Sequence, residues 1–285
     1  MPYLTPAGLR GADGGVADVR DHAARTGGAP GIGVPGYAHP LVAAAEWEAL
    51  ARPGAPVHWA VLNVDNGPGV RPDPHCLEAA GRIKNAAARA RAAAHPGAAR
   101  AAAGGRLLGH LDLAHGARSA SELLAEARAY LDWYLVDGFL LARCPTGSAS
   151  LPRVAVLTTA LRELAESPHL VLGHGRLPHP GYAGTADQMV TFTGAWSEYR
   201  WSQAPAWTAA HPPGRFCHVV HGVPRGHLDE ALRIARWQGA GTVYFTDRTP
   251  RPAPRDDIGG QSDPYASLPG YWDEIVSRIG RGVSE

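Results

Sequence analysis

The feature that most constrains this chain is an alternation that recurs along its length. Short apolar, β-favouring runs are followed, one after another, by helix-favouring stretches. The β-like runs are 32–37, 57–63, 106–112, 136–142, 169–174, 188–193, 215–221 and 241–247. Helices are expected at 41–52, from residue 75, at 119–134, within 149–166, in the aromatic stretch 196–210, and at 228–238 and 271–279. The helix after Ser119 carries Glu122 three residues on, a capping box in which each residue satisfies a backbone amide of the other's end. Alternating β and α units build a parallel sheet, and eight units in about 250 residues suit a closed α/β barrel of the (β/α)8 type. A doubly wound open sheet is the alternative. It needs a glycine-rich turn that opens directly into a helix. Here Gly31-Ile-Gly33 is followed by Val34-Pro35-Gly36, and Pro35 cannot lie inside a helix starting there.

One domain is expected over 31–280, preceded by an aperiodic Gly/Ala/Asp/Arg tail over 1–30 that reads as disordered and flexible. A chain of this length buries roughly 75% of its extended surface and needs no cross-link to fold. Two segments stand outside the pattern: the Ala/Arg-rich 85–104, and the Pro-rich 250–268, which follows the last strand and could cover the barrel mouth or stay unstructured. The Ala/Arg run could suggest an RNA-binding arm; a solvated helix with a ragged end is the simpler reading.

The formal net charge is +1, which gives no electrostatic case for a nucleic-acid partner or an anionic membrane surface. Lys84 is the sole lysine among 27 cationic residues, a pattern of GC-rich coding rather than of binding. Cys76, Cys144 and Cys217 are odd in number and far apart, which argues against a disulfide framework and a cysteine-built zinc centre. The first residues hold no apolar stretch of the secretory type, and no run approaches the ~18 apolar residues of a membrane span, so a cytoplasmic protein is expected.

On a barrel, chemistry gathers where the strands end. The polar residues there are His39, Asn63, Asp65, Asn66, His110, Asp112, Arg143, Cys144, His174, Thr193, His221, Asp247 and Arg248. Alternation puts His110 and Asp112 on one side of their strand. Three chemistries could use this set. Glycoside hydrolysis needs two carboxyl groups ~5 Å or ~6.5–9.5 Å apart across the sugar. Asp65, Asp112 and Asp247 come from different strands and could converge, and Tyr37, Trp196, Tyr199, Trp201 and Trp207 could stack on sugar rings; equally, the aspartates could form turns and the aromatics core. A metal centre could draw on His110, Asp112, His174 and His221, but no H-x-H or H-E-x-x-H motif is present, and no metal or other cofactor is expected. Cys144, with Arg143 beside it to lower its pKa, could act as a nucleophile, though spacing fixes no histidine partner.

Several runs carry a family resemblance. They are Gly33-Val-Pro-Gly-Tyr-Ala-His-Pro40, Asn63-Val-Asp-Asn-Gly-Pro-Gly69 with Pro72-Asp73, Leu108-Gly-His-Leu-Asp112, Trp133-Tyr134 with Val136-Asp-Gly-Phe139, Val190-Thr-Phe192 with Gly194, Arg215-Phe-Cys-His-Val-Val220, Gly239 to Asp247, and Leu268-Pro-Gly-Tyr-Trp272. In order, over about 31–275, they resemble the spherulin-4 (spherulation-specific family 4) proteins. The resemblance implies a (β/α)8 barrel related to glycoside hydrolase family 135, whose characterised members cleave N-acetylgalactosamine-containing polysaccharide. It implies a carbohydrate ligand, an amino-sugar oligomer or polymer. It also implies an Asp-Glu pair closing the fourth strand and a Glu after Thr-Phe in the sixth. This chain has Ala142, Arg143 and Thr193 there. Ala and Thr cannot protonate a leaving oxygen and Arg stays cationic, so hydrolysis by that route is expected to be lost or altered. The family-like positions His39, Asn63, Asn66, Asp112 and Asp247 remain. If cleavage persists, Asp112 and Asp247 are the expected carboxyl pair, with Tyr37, His39, Asn63, Asp65, Asn66, His110, His174 and His221 as substrate-binding candidates. A carbohydrate-binding pseudoenzyme is the alternative, and a metal-dependent hydrolase a further one.

Overall fold

A computed structural model describes residues 30–36, 38–93, 105–250 and 263–280. Tyr37, the expected tail up to residue 29, segment 94–104 and loop 251–262 lie outside the described residues.

Eight parallel strands close in sequence order. They are β1 (Gly31–Val34), β2 (Val57–Leu62), β3 (Arg106–Asp112), β4 (Gly138–Ala142), β5 (His169–Leu172), β6 (Gln188–Ala195), β7 (Phe216–His221) and β8 (Thr242–Phe245). Around them lie helices α1 (Ala44–Leu50), α2 (Pro74–Ala93), α3 (Ala120–Tyr134), α4 (Leu151–Leu164), α5 (Trp196–Tyr199), α6 (Leu228–Trp237) and α7 (Trp272–Gly280). β1 pairs with both β2 and β8, so the sheet has no free edge. The (β/α)8 expectation therefore holds, and the open-sheet alternative falls. Among the described residues no helix is long and apolar enough to cross a membrane.

Strands covered on both faces are expected to be apolar throughout, and β4 is buried at every position. The helices bury one stripe each. In α6 it is Leu228, Ala231, Leu232 and Ala235, spaced three and four apart as a 3.6-residue period requires. The α3 capping box forms as the sequence predicts, with both the Ser119 and the Glu122 bonds made. One polar network inside the barrel joins three strands. Trp59 Nε1 donates to Gln188 Oε1 (2.8 Å), and Gln188 Nε2 donates to Thr242 Oγ1 (3.0 Å), a link across β2, β6 and β8. Gly33 makes room for this: a Cβ there would lie 2.3 Å from the Trp59 ring.

Two expectations change. The aromatic stretch 196–210 is not one helix: α5 makes a single turn, and a short 3-10 turn follows at Ala206–Ala210. Pro205 and Pro212 flank that second turn, and Pro205 cannot donate the amide that continuation of a helix would need. Strand β6 runs on to Ala195, so Thr193 sits within it rather than ending it.

Candidate functional site

The C-terminal strand ends form the mouth, and the best-defined cluster there joins the ends of β2, β3 and β4. Register sets Asp112 opposite Ala142. The next residue, Arg143, takes a left-handed backbone (φ 47°), while Leu113 N donates to Ala142 O and His115 N to Arg143 O. These bonds stitch the two strand ends together and hold the guanidinium against the Asp112 carboxylate. Arg143 Nε donates to Asp112 Oδ1 at 2.7 Å, and Nη2 donates to Oδ2, a bidentate pair. Ala114 N donates to Asp112 Oδ1 (2.8 Å), and the Asn66 side chain adds a further hydrogen bond. Asn66 reaches there from a tight loop in which Gly67 N donates to Asn63 Oδ1 (3.0 Å).

The Asp112 side chain is 4% exposed and that of Arg143 is 55% exposed. Burial alone would raise the Asp112 pKa. Arg143, the Ala114 amide and Asn66 oppose burial and hold it down at about 2. His110, on the same side of β3, is buried, and burial takes its pKa to about 4, so it is neutral near pH 7.

Further round the mouth, a cleft of about 420 Å³ opens at the ends of β5 and β6, with Arg176, Thr193, Glu198 and Gln203 among its polar lining. Beside it, His221 closes β7 with its ring edge-on to Tyr265 (6.0 Å between centroids). Burial lowers the His221 pKa, and the Glu198 and Asp263 carboxylates partly offset this. Asp263 shifts the other way from Asp112: it is exposed at the surface, and partial desolvation raises its pKa against the Tyr265 amide and His221, which lower it. Neither Glu198 nor Asp263 was singled out from sequence. Glu198 sits in the one-turn helix directly after β6, and its place at a strand end is the sequence trait that could have marked it. Asp263 lies in a loop with no period to read.

The other expected site residues scatter. Asp247 is exposed and accepts from Gly270 N (2.9 Å), which anchors the turn before α7; it shares no described partner with Asp112. Asp65 is exposed. His174 is buried with Nδ1 against Cys144 O (3.3 Å) and its ring against Tyr182, and burial brings its pKa to about 4. His110, Asp112, His174 and His221 do not gather into a metal-ligand group. Among the described residues the group that does is His39, Asp73 and Cys76, which the sequence offered singly, His39 as a strand-end residue, Asp73 within the family-like runs and Cys76 as one of three scattered cysteines, but not as a group. The Asp73-x-x-Cys76 spacing at the start of α2 was its sequence sign.

Activation of Cys144 by Arg143 is corrected. Arg143 is turned to Asp112, and burial pushes the Cys144 thiol up to about 12, so it stays protonated. All three cysteines are buried and unbridged. The aromatic candidates divide likewise: Trp196 and Tyr199 are core, Trp207 packs on Phe216, and Trp201 is exposed.

Against known proteins, no curated protein matches the chain. Among solved structures it is similar to Aspergillus clavatus Sph3, solved in complex with GalNAc. That likeness has 21% identity and a TM-score of 0.68 over 90% of this chain and 99% of that one. A thermostable chitinase domain from Pyrococcus furiosus, solved with chito-oligosaccharides, is 12% identical with a TM-score of 0.48 over 90% of this chain and 97% of that one. The sequence model of spherulation-specific family 4 matches residues 31–279, which takes in every strand and nearly all of the last helix. The chain belongs to spherulation-specific family 4.

Proposed function

We propose that this barrel binds an amino-sugar oligomer along the mouth, from Asn66 and Asp112 to the cleft at Thr193, and does not cleave it by the family's expected acid pair. The observation that carries this reading is the Asp112–Arg143 pair. A general acid must keep its proton near working pH, usually through a raised pKa. Asp112 is held near 2, with Arg143 on both its oxygens. The neighbouring Ala142 has no ionisable group. Loss of one acid–base partner alone removes roughly 10²–10⁴-fold in rate. Family membership and the GalNAc held by the similar Sph3 barrel support a sugar of that kind. The cleft is large enough for one hexosamine ring and offers Arg176, Glu198 and Gln203 as partners.

A second reading has one specific observation in its favour. Asp263, an exposed carboxylate beside His221, has its pKa raised above the usual aspartate value, the opposite direction to Asp112. Cleavage would then run on relocated acids, with Asp247 or Glu198 as the second carboxylate.

Partly deacetylated galactosaminogalactan separates the two. Calorimetry should show saturable binding of its oligomers, and mass spectrometry should show no new reducing ends. Thr193→Trp, which fills the cleft, should abolish binding. Absence of binding overturns the first reading; new reducing ends that vanish in Asp263→Asn establish the second. Replacing Ala142 with Asp, Arg143 with Glu and Thr193 with Glu together is expected to confer slow hydrolysis.

A further inference from the structure

We propose that His39, Asp73 and Cys76 form a site for one zinc-type divalent cation on the rim of the barrel. The loop after β1 supplies His39, and the start of α2 supplies the other two. His39 Nε2 lies 3.4 Å from Asp73 Oδ1 and 3.5 Å from Cys76 Sγ, and the three donor atoms all fall within 4.8 Å of one another. A tetrahedral zinc has ligands at about 2.0–2.1 Å (N), 2.0–2.2 Å (O) and 2.3 Å (S). Those lengths put nitrogen and oxygen about 3.3 Å apart and nitrogen and sulfur about 3.6 Å apart. The two observed edges already have those lengths, and side-chain rotation at Asp73 or Cys76 can set the third.

The convergence on one atom also rejects a rival. In a thiol–imidazole–carboxylate relay, thiol and carboxylate use opposite ring nitrogens. Here both meet Nε2, while Nδ1 accepts from Leu41 N (3.2 Å). Cys76 is moreover fully buried, so it cannot reach a substrate.

The surroundings suit an ion. The amides of His75 and Cys76 both donate to Asp73 Oδ1 (2.9 Å each), which fixes the carboxylate as outer-shell bonds do at metal centres. A set of one nitrogen, one carboxylate oxygen and one sulfur selects zinc or a similar borderline ion over magnesium or calcium, which take oxygen ligands. The His39 and Asp73 side chains are each 28% exposed, which gives the ion a way in and leaves a fourth corner for water. On binding, the Cys76 S–H bond breaks, its proton goes to solvent and a sulfur–metal bond forms. The His39 proton moves from Nε2 to Nδ1, and the Leu41 amide loses that acceptor. The bound ion would clamp the loop after β1 onto α2.

The test uses the full-length protein, stripped with chelator and titrated with Co²⁺. One equivalent should produce a thiolate-to-cobalt charge-transfer band and the strong visible bands of a four-coordinate ion, and one equivalent of Zn²⁺ should bleach both. Cys76→Ala should lose the charge-transfer band, His39→Gln should weaken cobalt binding roughly 10-fold or more, and Cys144→Ala should change neither. Circular dichroism confirms that each variant is folded. No thiolate band in the wild type, or a band that survives in folded Cys76→Ala, overturns the proposal. Should Cys76→Ala fail to fold, the partly exposed His39 decides, and unchanged cobalt affinity in His39→Gln is then the overturning result.

Discussion

Arg143→Ala probes the centre of the mouth. In the folded chain the Asp112 pKa is about 2, against 3.8 for an ordinary aspartate. A difference of that size corresponds to roughly 2.5 kcal/mol in favour of the ionised form. Because the folded pKa is depressed, this stabilisation is fully present above about pH 4 and is lost as pH falls through about 2. Without Arg143, the carboxylate keeps the Ala114 amide and Asn66, but burial now dominates and raises its pKa. Removing one partner of a fully buried pair costs about 3–5 kcal/mol. The Arg143 side chain is 55% exposed, so water can partly replace it. A loss of about 2–3 kcal/mol at pH 7 is therefore expected. Alanine keeps the left-handed strain at this position, whereas Arg143→Gly relieves it and should recover about 1 kcal/mol. Urea unfolding followed by tryptophan fluorescence measures each value. At pH 4.5 the gap between wild type and Arg143→Ala should narrow, because only the variant's folded Asp112 takes up a proton before the unfolded chain does. A gap under roughly 0.5 kcal/mol at pH 7, or one that widens on acidification, would refute the account of Asp112 as a buried carboxylate that Arg143 keeps ionised.

Two further outcomes follow from the buried groups. Burial holds His110, His169 and His174 at about 4 and His218 at about 3, all below the usual 6.5, so their contribution is full above pH 6.5 and declines as pH falls toward 4. Each adds about 1.4 kcal/mol per pH unit to that decline; His174→Phe, which keeps a ring against Tyr182, should flatten the urea midpoint's dependence between pH 6 and 4.5 by one such share, and an unchanged slope counts against its being buried and neutral. Gly33→Ala would set a Cβ 2.3 Å from the Trp59 ring and 2.8 Å from Thr242 Cγ2. It should cost about 1–3 kcal/mol as overpacking, while Gly147→Ala, with open space around it, should fall within about 0.5 kcal/mol of wild type in the same thermal melt.

Much of this protein was legible in its sequence because the relevant information is local. A strand buried on both faces is mostly apolar, an outer helix shows an apolar stripe every three to four residues, and a helix start carries its own cap. Those patterns in 31–280 sufficed for eight β/α units, and the Ser119–Glu122 cap could be read directly. Since a barrel displays its strand ends at one mouth, the sequence also offered candidates for that mouth, of which Asn66, Asp112 and Arg143 meet. Which of them meet was decided only by closure of the barrel. The Asp112–Arg143 pair joins residues 31 apart and depends on the β3–β4 register and the left-handed backbone at Arg143. His39 meets Cys76 across 37 residues. Asp247, equally a strand-end aspartate, is instead engaged by the Gly270 amide, and Trp196 and Tyr199, equally aromatic, sink into the core. A periodic pattern records which way a side chain faces, but charge, proton affinity and ligand geometry depend on neighbours within a few ångströms, and in a closed barrel those neighbours come from other units of the chain.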